Sequence, residues 1–220
     1  MTYSYKKILL KKDRDEVITK HCAGKKILHI GATDAPFTKE KLEAGLLLHK
    51  KLMACSDHVL GIDIDQEAIM WLKQQGIENI TYFDMNALGE LPYKPDVIVF
   101  GEIIEHLQNL ETAIINLKSI MTSETELIIS TPNQLYVLNF LITLLQQREC
   151  VHEDHKIGFT YGLLRQLLST NDLEIEHFYF TFLPRTSEAW YKKITRKICH
   201  FRPGVAETLL AIVKCKHSVV

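Results

Sequence analysis

The sequence has no run approaching the roughly twenty continuous apolar residues of a membrane-spanning helix. Its opening, MTYSYKKILLKKDRDEVI, lacks the apolar core of a signal peptide, because the hydrophobic stretch is short and charges follow at once. Paired cysteines are missing too. Cys22, Cys55, Cys150, Cys199 and Cys215 are scattered, odd in number and form no C-x-x-C, as expected of a reduced cytoplasmic protein with buried or incidental thiols. There is no surplus of positive charge: 26 basic against 27 acidic residues leave a net charge of -1. That balance argues against a protein whose main work is neutralising phosphate backbones. Internal repeats, low-complexity tracts and linkers are absent as well.

What is present is a chain of 220 residues, 46% hydrophobic and 24% charged, enough for one domain with a sizeable core. Short apolar runs alternate with helix-length segments. A helix over about Asp13–Cys22 closes at Gly24, and a strand follows at Lys26–Ile30. A helix is expected over Phe37–Ala54, weakened by Gly45, then a strand at His58–Ile62 and a helix at Gln66–Gln75 with Asp65 as N-cap. Further strands are expected at Asn79–Phe83, Asp96–Phe100 and Glu126–Ser130, with a helix over Asn109–Met121. Strands alternating with helices at this spacing predict a parallel, doubly wound α/β sheet.

After Asn133 the rhythm changes. Leu135–Leu145 is apolar and helix-length, and a polar stretch rich in histidine and acid leads to a helix at Thr160–Leu168. Leu173–Phe182 alternates, with Phe178, Phe180 and Phe182 on one side, most simply as core. SEAWYKKITRKICHFRPG is basic and carries aromatic residues, and Val205–Cys215 reads as a final strand.

KILHIGATDAP, Lys26 to Pro36, is an apolar run ending at a glycine turn; VLGIDID, Val59 to Asp65, is a second apolar run ending in acid. A turn where a ligand approaches backbone, beside a strand whose carboxylate holds a ribose, points to a nucleoside-shaped cofactor. In open α/β sheets ligands sit outside the carboxyl ends of the strands. That lines up Gly31, Asp63, Asp84, Glu102 and Thr131-Pro132-Asn133 on one rim.

With these residues in place, the chain resembles the class I S-adenosylmethionine-dependent methyltransferases. It is most similar to the group with the ubiquinone-biosynthesis O-methyltransferases and small-molecule and glycan methyltransferases. The likeness runs over about Lys25 to Leu173, through ILHIGATDAP, VLGIDIDQEAI, YFDMNAL, DVIVFGEIIEHL and LIISTPN. It implies a doubly wound, seven-stranded, mostly parallel Rossmann-like sheet with a reversed last strand. One domain would cover 1–220, with an N-terminal helix in 1–24 and acceptor-pocket or cap insertions at 134–160 and 183–204.

The resemblance implies that Gly31 lets the methionine part of the cofactor lie on the backbone and Asp63 accepts from the ribose hydroxyls. Ile64 would cover an adenine face, Asp84 and the Met85 backbone would meet the adenine amino group, and Glu102 would lie near the transferring methyl. His29 stands where the family usually has an acid, and Thr33 and Ala35 where it has glycines. His29 then donates to the cofactor carboxylate or bonds to backbone. His49 is expected to be a partly buried helix histidine.

Methyl transfer needs in-line positioning and removal of the acceptor's proton. Glu102, Glu105, His106, His152 and His155 are the candidates, with Glu102, His106 and His155 taken as catalytic. Glu102, Glu105 and His106 form E-x-x-E-H. This resembles the divalent-metal triad of small-RNA 3'-terminal 2'-O-methyltransferases and some ubiquinone-pathway enzymes, where a downstream histidine can complete the site. The expected activity is methyl transfer to an oxygen or nitrogen of a small-molecule or glycan-related acceptor. A non-catalytic cofactor-binding or scaffold protein of the same fold, and an RNA 2'-O-methyltransferase using a metal at Glu102, Glu105 and His106, are the alternatives. An NAD oxidoreductase is disfavoured because GATDAP lacks G-x-G-x-x-G. Trp190, Tyr191, Lys192, Lys193, Arg196 and Lys197 form either a solvated helix face or a weak peripheral membrane contact.

Overall fold

The structure is a computed structural model that describes residues 8–11 and 13–216. Its sheet is built from β1 (Leu9–Leu10), β2 (Ile27–Ile30), β3 (Val59–Asp63), β4 (Ile80–Tyr82), β5 (Val97–Gly101), β6 (Glu126–Pro132), β7 (Leu173–Thr181) and β8 (Thr208–Cys215). The spatial order is β1-β7-β8-β6-β5-β2-β3-β4. β8 runs antiparallel to both β6 and β7, and all other pairs are parallel. The seven strands with a reversed last one are therefore present. An eighth strand of two residues, β1, extends the edge beyond β7.

The helices are α1 (Arg14–Cys22), α2 (Thr38–Glu43), α3 (Leu48–Cys55), α4 (Gln66–Gln74), α5 (Leu110–Ile120), α6 (Val137–Gln146), α7 (Tyr161–Thr170) and α8 (Trp190–Phe201). Consecutive strand residues turn to opposite faces, and both faces here are covered. Ile98 and Phe100 join the cluster with Leu117 and Leu164, while Val97 and Val99 join the one with Val17, Ile18 and Leu52. This is why the central strands read as unbroken apolar runs rather than alternating ones. Full burial of a side chain such as Phe100, 0% exposed, contributes about 1.5–3 kcal/mol.

The N-caps follow local chemistry. Asp13, Asp65, Asn109 and Thr160 each accept from a backbone amide in the first turn of α1, α4, α5 and α7. Several boundaries differ from the sequence expectation by one or two residues, and two by more. The helix expected over Phe37–Ala54 is two helices, because Gly45 takes φ +68 and breaks the chain between α2 and α3. The last strand starts at Thr208, because Pro203–Val205 forms a 3-10 turn. In the N-terminal segment, residues 1–7 and 12 lie outside the described residues.

β2 pairs with both β3 and β5, while the chain leaves it in one direction for β3 and β4 and in the other for β5 and β6. That reversal opens a crevice at the carboxyl ends of β2 and β5. It brings the Gly31 turn, Asp63 and Glu102 to one edge.

Candidate functional site

Asp63 ends β3 facing the Gly31 turn. Its Oδ2 accepts from the Thr33 amide at 2.9 Å and the Thr33 hydroxyl at 2.7 Å. Its Oδ1 accepts from the amides of Ile64 at 2.7 Å and Asp65 at 3.1 Å. A carboxylate offers about four acceptor sites, and all four are engaged. Thr33 thus places its hydroxyl where a ribose hydroxyl was expected. Gly31 sits at φ +73, and a Cβ there would come within 2.6 Å of Ile103 Cδ1, so Ile103 lies over the turn. Ile64 is 67% exposed. Asp84 is exposed and caps the following 3-10 turn through the Asn86 amide, while Met85 is half-buried against the core.

A charged cluster closes the crevice from below. The buried Arg14 guanidinium donates to Asp15 at 2.8 Å and lies 3.2 Å from Glu102 Oε1. Burial alone would lower its pKa, yet Asp15 and Glu102 outweigh that and hold it above the ordinary guanidinium value. Glu102 also accepts from the Ser130 hydroxyl at 2.8 Å. Burial raises its pKa against the pull of Arg14. Its backbone has φ +54, an uncommon state for a residue with a long side chain, and its N–H donates to the Ser130 carbonyl at 2.8 Å. Lys41 pairs with Asp34, whose second oxygen, Oδ2, is buried without a hydrogen-bond partner. Arg14, Asp34 and Lys41 escaped the sequence reading. The one trace of Arg14 is its place after the N-cap Asp13 and before Asp15, which marks a helix start but not a buried cation.

His29 and His49 are both buried and stacked, with Nδ1 atoms 3.2 Å apart. His49 Nε2 lies 3.2 Å from Asn79 Oδ1, and Asn79 Nδ2 donates to Val59 O at 2.8 Å. Because that amide is oriented by Val59, His49 must donate from Nε2, which leaves its neutral Nδ1 bare. His29 then donates from Nδ1 and presents Nε2 as an acceptor. Burial lowers both pKa values, His29 well below the usual range and His49 to about 4. A second imidazole, not backbone, therefore takes His29 Nδ1.

The E-x-x-E-H segment splits. Glu102 turns to Ser130 and Arg14, whereas Glu105, His106 and His155 have ligating atoms all within 4.8 Å of one another. Glu105 Oε2 accepts from Thr131 at 2.9 Å, and Oε1 is buried with no hydrogen-bond partner. Burial first and Glu102 second push its pKa up to about 8. The amides of Lys156 and Ile157 donate to the Glu105 carbonyl and bring His155 in. Burial, then His106 and His152, lower the His155 pKa; its ring meets that of His106 at 4.8 Å and that of His152 at 5.2 Å. Glu105, His152 and His155 open on a cavity of about 690 Å³ between α6 and residues 149–158, also walled by Asn133, Val137, Phe140 and Ile157.

No protein-family description matches the chain, and no curated relative does. Solved structures do resemble it. A S-adenosylmethionine dependent methyltransferase from Mesorhizobium loti is 15% identical, with 90% of this chain and 96% of that one covered and a TM-score of 0.55. The N-methyltransferase NodS from Bradyrhizobium japonicum is 14% identical over 93% of each chain, with a TM-score of 0.51. Magnesium protoporphyrin IX methyltransferase (ChlM) from Synechocystis, with bound SAH, is 15% identical over 91% of this chain and 78% of that one, with a TM-score of 0.55. This chain has the fold of the S-adenosylmethionine-dependent methyltransferases.

Proposed function

We propose that this chain transfers a methyl group from S-adenosylmethionine to an oxygen or nitrogen of a small-molecule or glycan-related acceptor. One observation carries the reading: the crevice at Gly31 and Asp63 and the cavity at Glu105 and His155 are joined by a single short segment, residues 101–106.

The crevice suits a zwitterionic amino acid joined to a nucleoside. Arg14 and Lys41 supply cations for a carboxylate, and Glu102 with the unpartnered Asp34 Oδ2 supplies anions for an ammonium. Asp63 would take the ribose once the Thr33 hydroxyl turns away. Ile64 would cover the adenine, with Asp84 and the Met85 amide at its amino edge. His29, fixed in one tautomer by His49, would offer Nε2 to the ammonium or a water beside it. When bound, the cofactor supplies an electrophilic methyl on a sulfonium. The chain's own task is to hold the acceptor in line and take its proton. Glu105 Oε1, which has no hydrogen-bond partner and lies 4.0 Å from His106 Nε2, and His155 nearby would do the latter, with His106 positioning His155. The five cysteines are free thiols, in keeping with a reducing cytoplasm. Incorporation of a labelled methyl group from S-adenosylmethionine into a cell extract tests the reading, with Glu105→Gln as the control.

The same three side chains fit a divalent ion by donor type, one unpartnered carboxylate oxygen and two imidazoles. An ion held by Glu105, His106 and His155 would polarise an acceptor hydroxyl. A second reading, a non-catalytic scaffold, is favoured by one observation: Asp63 is fully satisfied within the chain while Ile103 covers Gly31. Calorimetry with S-adenosylhomocysteine separates the two.

A further inference from the structure

Helix α8 carries an apolar surface that the fold leaves uncovered. Trp190 is 73% exposed and Phe201 74%, with Tyr191, Ile194 and Ile198 also exposed. At 3.6 residues per turn these five fall on one arc of about 100°, and the buried Thr195 and Cys199 lie past its Tyr191 edge. Lys193, Lys197 and His200 line one edge of that arc. Among the described residues no carboxylate pairs with Lys192, Lys193 or Lys197, whereas Arg196 is committed to Glu188 and to the Phe182 ring. α8 itself has no acidic residue. The neighbouring α6 is apolar at seven of its ten positions, VLNFLITLLQ, yet buries none of them, and it leaves Phe140, Leu144 and Leu145 exposed.

An apolar arc bearing a tryptophan and a tyrosine, edged by lysines whose stems lie along it, matches a helix resting in a bilayer interface. We propose that the α8 face, with α6 beside it, docks on an anionic lipid bilayer. The arc from Trp190 to Phe201 would sit at the headgroup–acyl boundary, and Lys193 and Lys197 on the headgroups. Charge chooses this occupant over a second copy of the chain. An isologous contact through this face would set the lysines of one copy against a patch of the same sign, whereas anionic headgroups pair with them. The proposal is independent of the methyl-transfer reading.

The test uses the full chain carrying Trp71→Phe, which leaves Trp190 as its single tryptophan. It is mixed with vesicles of phosphatidylcholine alone or of phosphatidylcholine and phosphatidylglycerol in equal parts. The protein should float with the anionic vesicles, its Trp190 emission should shift to the blue, and added salt should weaken both effects. Lys193→Gln with Lys197→Gln should lower partitioning by about 30-fold, and Trp190→Ser with Phe201→Ser should abolish it. Circular dichroism checks that each variant is folded. No flotation at millimolar anionic lipid overturns the proposal, as does equal binding to both vesicle types. A blue-shifted Trp190 in lipid-free protein that dimerises with concentration would give the face to a second copy and overturn it too.

Discussion

The hydroxyl and the amide of Thr33 both donate to one oxygen of Asp63, at 2.7 and 2.9 Å, while the other oxygen is held by the two amides that follow. An intramolecular hydroxyl occupies the position expected for a ribose hydroxyl. The carboxylate needs such donors to offset its desolvation, so a cofactor must exchange one of them rather than simply add to them.

Removing the competitor should therefore help. Thr33→Val keeps the amide and frees one acceptor site on Asp63. S-adenosylhomocysteine should bind about tenfold tighter, the equivalent of one hydrogen bond to a charged group. Asp63→Ala should weaken binding by about 1–3 kcal/mol. Titration calorimetry reads both. Unchanged affinity in the two variants would move the ribose away from Asp63.

Glu105 lies on the cavity wall, and its buried Oε1 has no hydrogen-bond partner. Glu105→Gln should cut methyl transfer by about 10²–10⁴-fold while S-adenosylhomocysteine binding holds. The folded pKa of about 8 lies above the ordinary 4.5. The carboxyl thus adds stability that is complete below pH 4.5 and is lost as the pH rises to 8. Urea unfolding across that window should show the wild type losing ground to Glu105→Gln as the pH rises. Full activity in EDTA is expected as well. Loss in chelator with recovery on adding Mg²⁺ or Zn²⁺ would give the cluster to a metal.

The His29–His49 pair should stay neutral well below the usual range. Ring ¹⁵N shifts should report His49 protonated on Nε2 and His29 on Nδ1, with neither titrating near 6.5. Since the His49 pKa falls from 6.5 to about 4, its share of stability is intact above pH 6.5 and is lost as the pH drops towards 4. A pair that titrates near 6.5 would contradict the assigned chain of donors.

The strands were legible in the sequence because both faces of the sheet are buried, so the run from Val97 to Gly101 is apolar throughout and that from Ile27 to Ile30 is interrupted only by His29. The cap at Asp65 was legible because N-capping acts over three residues. Distance in sequence hid the rest. Nothing near Glu105 announces that Lys156 and Ile157 bind its carbonyl, about fifty positions on, or that this contact recruits His155 and leaves Glu102 to Arg14. Nor does RDEV disclose that Arg14 is buried under two carboxylates. The pair of leucines in β1 is too short for a periodic signal, and pairing with β7 alone makes it a strand.

Arg14 tests how far that hidden cluster matters. Arg14→Met removes the cation that Asp15 and Glu102 share, and an uncompensated buried charge costs about 3–5 kcal/mol. Urea unfolding should show a loss of that size. A loss confined to a few tenths would mean that Lys51, 2.7 Å from Asp15, carries the balance alone.

The central claim is that the crevice between the Gly31 turn and Asp63 receives an adenosyl amino acid. Titrating the purified, folded chain with S-adenosylhomocysteine tests it most directly. Saturable binding with one site per chain, weakened in Asp63→Ala, is the result expected; the absence of any binding at millimolar ligand would contradict it.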